Sequence, residues 1–224
     1  MKTIVYIDGF NLYFGALKNT PYKWLDIVQL FSRICNDQEP QSNIVAVKFF
    51  TAPVKAKIAS SGLIAVKSQE SYHKALRTLY PETFEVIQGY FQVEKREFPR
   101  FLKPIEKGNR VAVWKMEEKK TDVNIAIEML TDSMEGIEQV VLVSNDTDLV
   151  PALERIKKLF PEVKKAVVIP RKEVKEQKTR PANNELLSVS DWTRNHITEK
   201  ELQEAQLPEY IPTKKKTVFK PKYW

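Results

Sequence analysis

A three-layer α/β/α sandwich around a central, mostly parallel sheet is the architecture this sequence predicts, and three observations predict it. Continuous apolar runs at residues 4–7 (IVYI), 140–143 (VVLV) and 166–169 (AVVI) read as strands buried on both faces, as central parallel strands are. Strands alternate with amphipathic helical segments through most of residues 1–170, the pattern of a doubly wound sheet. Two of the strands, moreover, end in acids: Asp8 after the first and Asp146 after the run at 140–143. Ligands of open α/β sheets bind at that carboxyl edge.

Taken in order, residues 2–8 form the first strand, and Gly9, Phe10 and Asn11 turn the chain into a short helix that stops before Pro21. Residues 24–35 place Leu25, Val28, Phe31 and Ile34 at helical spacing, with the lone Cys35 on the same helix. A strand follows at 43–50, then a basic helix at 60–79 carrying Lys67, His73, Lys74 and Arg77. Those charges suit a solvated face as well as they suit phosphate. Residues 84–88 are a third strand. The stretch 89–109 interleaves Tyr90, Phe91, Phe98 and Phe101 with Lys95, Arg96, Arg100, Lys103 and Lys107. That mixture serves a β-hairpin covering a sheet edge, the favoured reading, or a surface that stacks bases.

Residues 110–116 are a further extended segment. A helix at 122–130 groups Val123, Ile127 and Leu130 on one side, with Thr121 placed to cap it and Asp122 in its first turn. The central strand at 140–143, a helix at 149–159 and a last strand at 164–169 complete the sheet. Residues 171–180 are charged and polar, an exposed connection or a strip facing ligand. Short packed or helical pieces follow at 185–192 and 198–206, and the tail at 212–224 holds five lysines and no acid. Such tails are more often solvated or docked on their own domain than used as binding arms. The organisation expected is one domain over 1–170 and a C-terminal extension, 171–224, packed on it.

Composition narrows the function classes. The 224 residues carry 36 Lys and Arg against 29 Asp and Glu, a net charge of +7, which favours a polyanionic partner. No run approaches the roughly 18 apolar residues of a membrane span. The opening MKTIVYID enters a strand directly, without the apolar segment of an export signal, so a cytoplasmic protein without membrane contact is expected. One cysteine and two distant histidines, His73 and His196, disfavour a disulfide, a zinc site and a His-dependent triad. With six glycines, and neither a GxGxxG nor a P-loop pattern, nucleotide-cofactor readings have no fingerprint here. A monooxygenase likewise has no visible basis. Nothing fixes the oligomeric state, and a homodimer is left open.

The chemistry concentrates at VVLVSNDTD, residues 140–148, where Ser144, Asn145, Asp146, Thr147 and Asp148 follow the central strand. If its strand neighbours the first in parallel, Asp8 and Asp146 converge. Crowded carboxylates repel, and a compensating cation makes them tolerable. Asn11, one helical turn past Asp8, either bonds that acid or a substrate, or caps its helix.

Three motifs in register, IVYIDGFNLY, EEKKTDVNIAIEML and VVLVSNDTDLVPALERIK, resemble those of NYN-domain proteins, the LabA-like branch of the PIN-like nuclease superfamily. The resemblance covers residues 1–170. It implies a Rossmann-like sandwich whose acids bind Mg²⁺ or Mn²⁺ for phosphodiester cleavage, with Asp8, Asp122 and Asp146 as the metal set and Asp148 supporting them. Asn11 matches the Asn of the first motif; Ser144, Asn145 and Lys119 stand where substrate contacts are expected. Lys120 and Thr121 replace a common Gly and Val, and Asn145 replaces a common Gly, so both turns are expected to differ in shape. The function implied is a metal-dependent endoribonuclease, RNA favoured over DNA. A nucleic-acid-binding module with little turnover and a small-molecule phosphatase are the alternatives.

Overall fold

The computed structural model describes residues 1–173, 183–214, 216–222 and 224, and most of the polar connection at 171–180 therefore lies outside the described residues. The chain opens with β1 (Lys2–Asp8), then α1 (Gly9–Leu12) and a π-helical turn at Tyr13–Leu17. Next come α2 (Ile27–Gln38), β2 (Asn43–Thr51), α3 (Leu63–Leu79) and β3 (Phe84–Gln88). β4 (Tyr90–Pro99) and β5 (Arg110–Lys119) precede α4 (Thr121–Met134), β6 (Gln139–Val143), α5 (Val150–Leu159) and β7 (Lys164–Val168). The remaining described elements are α6 (Asn184–Ser188), β8 (Trp192–Arg194), α7 (Glu199–Glu204), β9 (Tyr210–Ile211) and β10 (Val218–Phe219).

Six strands form one sheet in the order β3-β2-β1-β6-β7-β8, every pair parallel. Parallel neighbours need a crossover rather than a tight turn, and helices supply it. Val5, Ile7, Val47 and Phe49 on one face of the sheet pack with Leu30, Phe31 and Ile34 of α2 and with Leu76 of α3. Ile4, Tyr6, Val140 and Leu142 on the other pack with Ile125 and Met129 of α4 and Leu153 and Ile156 of α5. Both faces of β1 and β6 are thus dry, which is why their sequences read as continuous apolar runs.

The strand order reverses between β1 and β6. From β1 the chain steps outward through β2 and β3, then returns to the opposite side of β1. At such a switch point the crossovers leave in opposite directions, and a crevice opens at the carboxyl ends.

Two expectations need correction. The sheet does not end at residues 164–169: β8 pairs in parallel with β7 as a sixth strand. Three residues with mixed polarity carry no periodic signal, so only the pairing reveals it. On α4 the buried side chains are Ile125 and Met129, while Val123 and Ile127 are exposed. The buried stripe of that helix also holds Asp132 and Ser133, and those polar residues disguise it in the sequence. The aromatic and basic stretch does form the expected hairpin, with ten antiparallel pairs between β4 and β5, as a two-stranded sheet separate from the main one.

Asp132 is buried because it is paired. Lys48 Nζ donates to it at 2.7 Å and to Glu128 at 2.6 Å, and the Tyr6 hydroxyl donates to the same carboxylate at 2.7 Å. Burial alone lowers the pKa of an ammonium group, yet the hydrogen bonds from Lys48 to both acids outweigh it and hold Lys48 above its ordinary value. Replacing Lys48 by Met strands a buried carboxylate, at a cost of about 3–5 kcal/mol. Urea unfolding of Lys48→Met is expected to show that loss, and an unchanged midpoint would contradict the role given to the pair.

Candidate functional site

β1 and β6 are adjacent and in register, Ile7 opposite Val143, so the residues that follow each strand emerge side by side. Asp8 sits at the end of β1, 3% exposed, and caps α1 by accepting from the amides of Phe10 at 3.1 Å and Asn11 at 3.0 Å. Its other oxygen accepts from Asn11 Nδ2 at 2.5 Å and from the Ser144 hydroxyl at 3.0 Å. Asn11 therefore does not cap its helix: Asp8 is the cap, and the Asn11 side-chain amide holds that carboxylate.

The turn after β6 is built on the same residues. Asn145 N donates to Asn11 Oδ1 at 3.3 Å, Asp146 N donates to Ser144 Oγ at 3.1 Å, and Asp148 N donates to Asp146 Oδ1 at 3.1 Å. Asn145 Oδ1 accepts in turn from Asn183 N at 3.0 Å, which ties the turn to the start of α6. Ser144 and Asn145 are buried, Asp146 half-buried and Asp148 exposed. Ser144 and Asn145 thus act as the frame of the turn, and the charges of Asp146 and Asp148 reach Asp122.

Asp122 arrives from the first turn of α4, half-buried. Burial, then the charges of Asp8, Asp146 and Asp148, push its carboxyl up to about 6. Burial likewise raises Asp8, with Asp146 adding to it, while the hydrogen bonds from Asn11 and Ser144 pull the other way. Four acids from three distant stretches are therefore within electrostatic reach of one another.

A fifth acid belongs with them. Glu118, at the end of β5, accepts from the Thr121 hydroxyl and is pushed up to about 7 by burial, offset by that bond, and by Asp8 and Asp122. The Glu117–Glu118 pair before Asp122 offered a signal, but its place as a strand end had to be known. Thr121 is consequently not the cap expected of it. It is the first residue of α4, and Lys120 stands at the cap with φ 76°, the left-handed conformation that Gly adopts most readily. Lys119 projects to the surface in an ion pair with Glu117 at 2.7 Å.

Gly15 fixes how closely the π-turn approaches the sheet. A Cβ there would lie 1.8 Å from the Pro170 carbonyl oxygen, just past β7, so any other residue would force this wall of the crevice outward.

The described residues can be compared with known proteins on this basis. A family model for the NYN domain matches residues 2–179. The chain belongs to the NYN-domain family. This NYN domain has the nuclease-like fold that the family implies. It is 36% identical to 6-hydroxy-3-succinoylpyridine 3-monooxygenase HspA of Pseudomonas putida, across all of this chain and 75% of that protein. A crystal structure of a protein of unknown function from Vibrio parahaemolyticus matches with a TM-score of 0.52 and 17% identity, over 88% of this chain and 93% of that one. At that identity the likeness is one of fold. No helix among the described residues is long and apolar enough to cross a membrane.

The donor set of this NYN domain is all oxygen, carboxylates with an amide and a hydroxyl, which is the chemistry of a hard cation. Among the described residues no three His, Cys, Asp or Glu stand close enough to hold an ion by themselves. Mg²⁺ commonly takes one or two carboxylates and completes its shell with water and substrate phosphate, and the set fits that mode.

The electrostatic strain has a measurable sign. A carboxyl whose folded pKa lies near 6, above its unfolded 3.8, favours folding most below the lower value and loses that advantage as pH rises through the higher. At neutral pH the charge on Asp122 therefore opposes folding. Asp122→Asn is expected to raise Tm by a few degrees in EDTA at pH 7.5, with the gain shrinking toward pH 4. Calorimetry showing a lower Tm for the variant would refute mutual repulsion at this site.

Proposed function

We propose that this NYN domain is a metal-dependent nuclease that hydrolyses phosphodiester bonds, internally and in RNA by preference over DNA, with Mg²⁺ or Mn²⁺ as cofactor. One observation carries the reading: the β1–β6 switch point brings Asp8 and Asp146 to one crevice, where Asp122 from α4 shares their field. Of Asp8, Asp122 and Asp146, one or two would ligate the ion directly and the rest through water, and the ion when bound would supply Lewis-acid polarisation of the phosphoryl oxygen and neutralise charge on the leaving oxygen.

The chain's own residues do the positioning. Asn11 and Ser144 clamp the Asp8 carboxylate in one orientation, so it meets a ligand without reorganising. The Asp148 amide fixes Asp146, and the exposed Asp148 carboxylate orients the attacking water and accepts its proton. Lys119 reaches flanking phosphate by exchanging Glu117 for it. The net charge of +7 supplies the longer-range attraction for a polyanion.

A second reading follows the whole-chain similarity to the P. putida enzyme: insertion of oxygen from O₂ into a small heteroaromatic acid, with a two-electron reductant. Its observable is oxygen uptake in the presence of 6-hydroxy-3-succinoylpyridine, with formation of a hydroxylated product.

Asp146→Asn is expected to lower Mn²⁺-dependent cleavage of labelled single-stranded RNA by about 10²–10³-fold, the scale for removing one preorganised electrostatic group. Cleavage that persists undiminished in the variant, or is absent from the wild type with every divalent ion while oxygen uptake occurs, sinks the hydrolytic reading.

A further inference from the structure

Beside α1 lies a cavity of about 410 Å³, a size typical of small-molecule sites. Phe10 and Phe14, one helical turn apart, line both this cavity and a recess bordered by Asn11 and Asn145, and Gly9, the neighbour of Asp8, lines the cavity itself. Their rings stack with centroids 6.3 Å apart, and Phe10 meets Phe91 edge-on at 5.2 Å. Phe14 is nevertheless 58% exposed, a large aromatic face offered to solvent at the mouth.

The interior is aromatic and the charge is of one sign. Phe49, Tyr72 and Trp224 form its walls. Lys18, Lys23 and Lys55 line it, and no acid does so among the described residues. Lys18 Nζ lies 4.8 Å from the centre of the Phe14 ring, so ring and cation already form one surface. His73 also lines the cavity, 6% exposed, and no hydrogen bond to its imidazole is found among the described residues. Burial, then the charge of Arg77, pushes its pKa down to about 4, so at neutral pH it presents one donor and one acceptor.

Flat aromatic walls, a neutral imidazole able to pair in both senses and a cationic lining are complementary to a flat heteroaromatic ring attached to an anionic chain. We propose that this cavity is a base subsite: a nucleobase of single-stranded nucleic acid enters over Phe14 while a neighbouring phosphate lies at Asp8. Entry requires the base to be unstacked, so a single strand is favoured over a duplex by the cost of unpairing. The inference rests on the phosphodiester reading for where the backbone lies, but base capture is measured without turnover.

The test is equilibrium binding in EDTA at one fixed ionic strength, comparing a short single-stranded RNA with an abasic ribose-phosphate chain of equal length and charge. Wild type is expected to bind the abasic chain about 5- to 100-fold more weakly, the scale of one base stacked on protein aromatics. Phe14→Ala, at an exposed position where folding is not at stake, should weaken RNA binding by a similar factor and leave the abasic chain unaffected. Ala65→Trp, which fills the cavity from α3, should do the same. Equal or undetectable binding of the two chains by wild type overturns the subsite, as does RNA binding unchanged in both variants, or a duplex bound as tightly as a single strand. Base-dependent binding without cleavage under any divalent ion upholds the subsite and removes the hydrolytic reading alone.

Discussion

The parallel pairing of β1 with β6 is the constraint on which the rest of the structure depends. Because crossovers leave these two strands in opposite directions, a crevice opens beyond their carboxyl ends, and the chain lines it with polar groups. Asp8 and Asp146 are delivered there by strands whose central residues, 4–7 and 140–143, are buried. The rigid sheet thereby holds together charges that would separate on a flexible scaffold.

Repulsion of that kind has to be offset, and the local hydrogen bonds show how far the chain goes by itself. Asp8 is nearly fully buried yet receives two backbone amides, an amide side chain and a hydroxyl. Asp122 and Glu118 are less well provided, and theirs are the carboxyls pushed up to about 6 and about 7. The contrast with Asp132 is instructive. It is also buried, but the Lys48 ammonium and the Tyr6 hydroxyl compensate it, and it serves stability.

One helix, α1 with its π-turn, serves two environments. It carries the clamp on Asp8, and it carries Phe10 and Phe14 over an aromatic cavity. π-turns are often found at functional sites, and here the wider turn sets Gly15 against Pro170.

The layered α/β architecture, the acids at the strand ends and the family were written in the sequence, because buried parallel strands read as apolar runs and a polar cluster after such a run stands out. Register decided what periodicity could not. Whether Asp8 and Asp146 would meet depended on β1 and β6 being neighbours, although more than 130 residues separate them. Glu118 entered the site, and Thr121 left its capping role, only once β5 was seen to run to Lys119. The inward face of α4 was hidden because Asp132 is buried through pairing with a lysine from another strand, and β8 because three residues become a strand only beside β7. Local sequence specifies which segments avoid water; which charges then share a crevice is set by long-range pairing, a property of no single segment.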